Sequence, residues 1–138
     1  MQKMLKEIDY YVGSFNPFSI AERLNIDFEY RDFSPDIEGV SFPVLGKPLI
    51  ALNSALVNIP KRYVVMSHEL YHAIAHPDLI NYYTIGENQR SSLEYEANKF
   101  TAMLLLNFYP EFTGHTPLCF GDIQQQFQME DNYIQFYF

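Results

Sequence analysis

Five consecutive residues, His68-Glu69-Leu70-Tyr71-His72, restrict this chain more than any other feature of it. On an α-helix, at about 100° and 1.5 Å per residue, two imidazoles four positions apart lie about 40° apart on one face and one turn apart along the axis. That spacing suits two nitrogens closing on one Zn²⁺. Glu69 falls on the adjoining flank, within reach of an attacking water but badly aimed as a third ligand, so it is placed as a general base.

The flanking residues support a helix over 60–76. Tyr63, Met66, Leu70, Ala73 and Ile74 recur at helical spacing on the side opposite the imidazoles, which gives one packing face and one face for chemistry. Pro60 with Lys61 and Arg62 reads as a start, and Pro77 after His76 as a stop, because proline removes a donor and blocks continuation.

A catalytic zinc site takes three protein ligands, so a third must come from elsewhere. The candidate is Glu94, 22 residues after His72, on a helix expected over 91–106 whose apolar stripe is Leu93, Ala97, Phe100 and Leu104. Asn98 and Thr101 share its polar face. Ser91-x-x-Glu94 is also a capping box, in which the carboxylate only closes the helix end. Glu96 is the nearest rival but lies about 200° around the helix from Glu94, so the two cannot face one ion. His76 continues the four-residue ladder, yet its Cα lies ~9 Å along the axis from a zinc between His68 and His72, too far for a bond of about 2.1 Å, which leaves it a supporting or capping role. His115 follows Gly114 in an expected loop and is expected to be exposed.

The remaining chain reads as one domain over 1–138, too short for a second. Helices are expected within 1–25, over about 2–12 with a stop at Gly13-Ser14, and again from Pro17 to Leu24 with Asn25 as terminator. A small sheet over 26–56 is expected from three stretches rich in Ile, Phe, Tyr and Val, at 26–33, 39–44 and 48–52, separated by turn residues. They are read as a three-stranded antiparallel sheet packed on the HExxH helix and the second, ligand-bearing helix, an α+β fold. The outer edge of the hairpin formed by 39–42 and 49–52 is available to pair with an extended peptide. Residues 78–90 read as a loop, whose Tyr82 and Tyr83 either pack or offer a phenol to an oxyanion. Residues 121–138 form a helical tail whose closing aromatics need cover, from the body or from another subunit.

Composition excludes several function classes. The net charge is −8 and no basic run occurs, which argues against nucleic-acid binding, since phosphate neutralisation supplies most of that affinity. Cys119 stands alone, so neither an internal disulfide nor a cysteine-based zinc site is available. The opening residues lack an apolar signal core and no run approaches the ~18 residues of a membrane span, which leads to the expectation of a cytoplasmic protein.

His68-Glu69-Leu70-Tyr71-His72-Ala73-Ile74-Ala75-His76, taken with Glu94-Tyr95-Glu96-Ala97-Asn98-Lys99-Phe100-Thr101-Ala102-Met103-Leu104-Leu105, resembles the ImmA/IrrE family of zinc metallopeptidases. Ile50-Ala51-Leu52-Asn53 and Arg62-Tyr63 are similar to that family's lead-in strand and basic residue, and the likeness runs from about Ile20 to Leu106. It implies a small zincin-like domain with a gluzincin-type site, in which Glu94 is the third ligand and Asn98 supports a histidine. It also implies a bacterial, phage or mobile-element setting and a partner repressor as substrate. Two departures stand out. Tyr71 replaces the family's usual glycine and adds bulk near the site, and Leu106-Asn107-Phe108-Tyr109-Pro110 replaces its usual Met-Pro.

The expected activity is therefore zinc-assisted peptide hydrolysis, with His68, His72 and Glu94 on the metal and Glu69 as base. The alternative is a protein that keeps the site, has little or no turnover, and regulates a repressor or toxin by binding it.

Overall fold

The computed structural model of the chain describes residues 1–76 and 87–137, with the backbone alone at 87–90. Helix α1 (Gln2–Val12) buries Leu5 and Ile8 and stops where Gly13 takes φ +78°, a left-handed cap that costs a glycine little. Helix α2 (Pro17–Arg23) opens with proline in its first turn, and the Asn16 side chain accepts from Phe18 N at 2.9 Å. Asn25, at φ 58°, then turns the chain into the sheet.

Strands β1 (Asp27–Arg31), β2 (Gly39–Val44) and β3 (Lys47–Asn53) are ordered β1-β3-β2. The sheet is mixed, which corrects the antiparallel expectation: β2 and β3 form the antiparallel hairpin, but β1 runs parallel to β3. The reason is burial. Ile50, Ala51 and Leu52 are all fully buried, so β3 takes the central place that a continuous apolar run demands, while the half-exposed β1 and β2 become edges. The connection from β1 to β2 must therefore cross the end of β3, and Asn53 pins it there. The buried Asn53 Nδ2 donates to Phe33 O, Ser34 O and Ile37 O at 3.3, 3.2 and 2.8 Å, while its backbone N–H donates to Glu38 O at 2.8 Å.

The hairpin register fixes which β2 groups face outward. Pro43 stands opposite Pro48, and since neither has an N–H, this is a non-hydrogen-bonded pair. By alternation Gly39↔Leu52 and Ser41↔Ile50 are of the same kind, so the backbone N–H and C=O groups of Gly39 and Ser41 point to the edge of β2 that no strand among the described residues pairs.

Helix α3 (Arg62–Ala75) carries the HExxH run through the middle of the molecule, packed against the sheet, α2 and α4 (Glu87–Thr113). The expected stripe of Tyr63, Met66, Leu70 and Ala73 is buried and Ile74 packs against it, but Val64, Val65, Ser67 and Tyr71 are buried too, so α3 is covered on several sides. Ala97, Phe100 and Leu104 of α4 are fully buried against it, whereas Leu93 is only half-buried. A short 3₁₀ turn (Ser54–Leu56) links β3 to α3.

Helix α4 is longer than expected at both ends. It continues through Pro110 to Gly114, which takes φ +89° and whose N–H bonds Pro110 O at 2.8 Å. An internal proline costs about 3 kcal/mol, but aromatic residues on either side of it meet a second core, Phe108 buried within it and Phe112 exposed at its rim. There the Phe108 and Phe112 rings lie 5.3 and 5.5 Å from Tyr63, and both meet Phe127 of α5 (Phe120–Phe127). Burial of Phe108 and its ring contacts with Tyr63 and Phe127 offset the lost bond.

The tail ends in a 3₁₀ segment (Asp131–Phe136). Tyr133 and Tyr137 are buried and Phe136 half-buried against the body, so the closing aromatics are covered within the chain up to Tyr137. The expected loop lies outside the described residues as far as residue 86, Tyr82 and Tyr83 included. No helix among the described residues is long and apolar enough to cross a membrane.

Candidate metal centre

α3 and α4 bring three sequence-predicted residues together. His68 Nε2 lies 3.0 Å from Glu94 Oε2, His72 Nε2 lies 2.8 Å from Glu94 Oε1, and the two Nε2 atoms are 3.3 Å apart. Ser91 sits inside α4, which begins at Glu87, so Glu94 cannot be closing the helix end and the capping-box alternative falls away.

His68 Nδ1 is 2.9 Å from Asn98 Oδ1, and because a carbonyl oxygen only accepts, Nδ1 carries the proton and Nε2 of the neutral ring presents its lone pair. Lone pairs and a carboxylate crowding one point repel unless a cation or protons intervene. The donor set suits a cation: ligands at about 2.1 Å in tetrahedral array stand roughly 3.4 Å from one another, close to the spacing found. His68, His72 and Glu94 are also the group of described residues whose ligand atoms all fall within 4.8 Å of one another. Burial alone would lower the His68 imidazole pKa, but Glu94, the Glu69 charge and Asn98 outweigh it and raise it, the response of a nitrogen held in a negative field.

The other candidates go elsewhere. Glu96 does not join the group. Thr101, expected on the polar face beside Glu94, is fully buried and donates to Ala97 O at 2.8 Å, one turn back on its own helix. His76 is the C-cap of α3, its N–H bonded to His72 O at 2.8 Å, and His115 is exposed.

His68 and Glu69 form part of the wall of a cleft of about 300 Å³, with Gly39, Lys61, Asn98 and Tyr133 among its other walls. A family model, Peptidase M78, the IrrE N-terminal-like domain, matches residues 21–112. The chain belongs to that family. No curated protein and no solved structure matches it.

In this IrrE-like domain Tyr71, which stands where a glycine was expected, does not narrow the cleft. Its ring is buried 5.3 Å from Phe100, in the core behind the site. Glu69 sits where burial raises its carboxyl pKa and the two imidazoles pull it back, and its Cγ packs against Gly39.

That contact explains Gly39. A Cβ there would come within 2.7 Å of Val65 Cγ1, 3.2 Å of Leu52 Cδ2 and 3.3 Å of Glu69 Cγ. Val65 is β-branched and stiff, so it gives way poorly. Gly39→Ala is expected to lower unfolding stability by about 1–3 kcal/mol, the usual range for overpacking. A urea titration with an unchanged midpoint would show that β2 and α3 separate without cost.

Two features of the site escaped sequence reasoning. Lys61 reaches Glu38 at 2.6 Å and Glu130 at 3.6 Å, tying the entry to β2 to the tail across the cleft. Tyr133, from that tail, donates its hydroxyl proton to Asn98 Oδ1 at 3.2 Å. Burial and the charges of Glu130, Glu38 and Glu94 raise its pKa far above the ordinary phenol value, so it stays a donor.

Proposed function

We propose that this IrrE-like domain is a zinc-dependent endopeptidase that hydrolyses a peptide bond in a regulatory protein such as a repressor. The observation that carries the reading is the meeting of His68 Nε2, His72 Nε2 and Glu94 at one point on the flank of a cleft into which Glu69 is built. A His₂Glu set favours zinc among divalent ions. Zinc, when bound, supplies Lewis acidity and brings the pKa of water toward about 7.

The chain's own residues supply the rest. Glu69 takes the proton of the attacking water and returns it to the leaving amine, a role suited to a carboxylate whose proton affinity burial has raised. Asn98 holds His68 through Nδ1. The outward N–H and C=O groups of Gly39 and Ser41 offer an extended substrate two rungs of β pairing beside the cleft.

The test is cleavage. Purified full-length chain is incubated with a repressor encoded beside it and with a mixed peptide library, and products are read by mass spectrometry. Fragments are expected with zinc, none after chelation, and recovery when zinc is restored. Intact metal binding with no cleavage of any peptide or of the repressor would overturn the peptidase reading and leave sequestration of the partner.

A further inference from the structure

The Asn98 side-chain carbonyl stands between a metal-site imidazole and a residue from the far end of the chain. Its Oδ1 accepts from His68 Nδ1 at 2.9 Å and from the Tyr133 hydroxyl at 3.2 Å. Two donors saturate the two lone pairs of that oxygen. Turning the amide over would bring its NH₂ group against His68 Nδ1 and take the acceptor away from a buried phenolic proton. His68 would then have to carry its own proton on Nε2, the atom that faces His72 and Glu94.

We propose that Tyr133 is a positioning residue of the metal centre: acting through Asn98, it holds His68 in the tautomer whose Nε2 can bind a cation. The inference rests on the reading of His68, His72 and Glu94 as ligands. It extends the centre beyond the family-matched residues 21–112, because Tyr133 belongs to the C-terminal tail.

The tail is fixed firmly enough for this task. Glu130 reaches Lys61, Gln124 Nε2 donates to Asp131 Oδ1 at 2.6 Å, and the Tyr137 hydroxyl donates to Ala102 O at 2.7 Å. The Tyr137 bond is of the same kind as that of Tyr133, from the same segment onto the same helix, but it ends on backbone rather than on Asn98. It therefore serves as the control.

Zinc affinity of the full chain is measured by competition with a chromogenic chelator, the Co²⁺ absorption spectrum is recorded, and both are accompanied by metal-free thermal melts. Tyr133→Phe is expected to weaken zinc binding roughly 10–100-fold, the range for residues that orient a ligand from behind, and to change the Co²⁺ bands. Tyr137→Phe is expected to lower the Tm and leave affinity and spectrum as they were. In an Asn98→Asp background, where either carboxylate oxygen accepts from His68, adding Tyr133→Phe is expected to cost no further affinity.

Wild-type affinity and spectrum in Tyr133→Phe would overturn the proposal. So would an equal loss in Tyr137→Phe, which marks general loosening of the tail, or a full further loss in the Asn98→Asp background. A wild-type chain that binds neither ion would instead overturn the metal-centre reading beneath it.

Discussion

Glu94→Ala is expected to weaken zinc binding by more than about 100-fold, beyond what the loss of an outer partner costs, while leaving the fold in place. The carboxylate approaches both imidazoles, at 2.8 and 3.0 Å, and its removal leaves two nitrogens where a closed catalytic site needs three protein donors. The helix should not suffer, because Glu94 lies within α4 and closes no end of it. Stability gives a second reading of the same loss. A ligand present at 100 times its Kd adds about 2.7 kcal/mol to a folded protein, so zinc should raise the Tm of the wild-type chain and leave that of the variant nearly still. Calorimetric titration and melts with and without zinc measure both, and equal affinities for the two proteins would remove Glu94 from the ligand set.

Glu69→Gln separates chemistry from binding. Glutamine keeps the size of the side chain and its packing against Gly39 but has no basic oxygen, so turnover is expected to fall by about 10²–10⁴-fold, the worth of a positioned base. Zinc affinity should stay within about tenfold, since Glu69 acts on the ligands only as a nearby charge. Cleavage rates and zinc titration on the same preparation decide it. Loss of zinc along with turnover would make Glu69 a ligand or a structural support instead of a base.

What could be read from the chain was mostly local. The HExxH helix, its apolar stripe, the glycine stop at Gly13 and the terminating Asn25 all follow from preferences set within a few residues, and the structure bears them out. The pairing of α3 with α4 at His68, His72 and Glu94 was legible because metal-ligand chemistry restricts which polar residues can meet.

What depended on distant contacts was not. The parallel placing of β1 follows from competition for the buried centre of the sheet, and its one local signal, the unbroken apolar run 49–52, does not set the direction of β1. Around Pro110, which α4 passes through, Phe108 and Phe112 both meet Phe127, which lies in a later helix. Thr101 shares a helix face with Glu94 by angle, but buried backbone claims its hydroxyl. Tyr133 is one of several aromatics in an aromatic tail, and nothing in its neighbours singles it out. Gly39 did carry a signal, since glycine in a strand often marks close backbone approach.

The facing prolines of the hairpin also bear on solubility. An unprotected strand margin invites a second copy of the chain to zip onto it, and the way to amyloid-like stacking begins there. Pro43, having no donor, interrupts that margin after Ser41. The sheet thus exposes only a short length of main chain at this margin, too little for self-polymerisation to propagate.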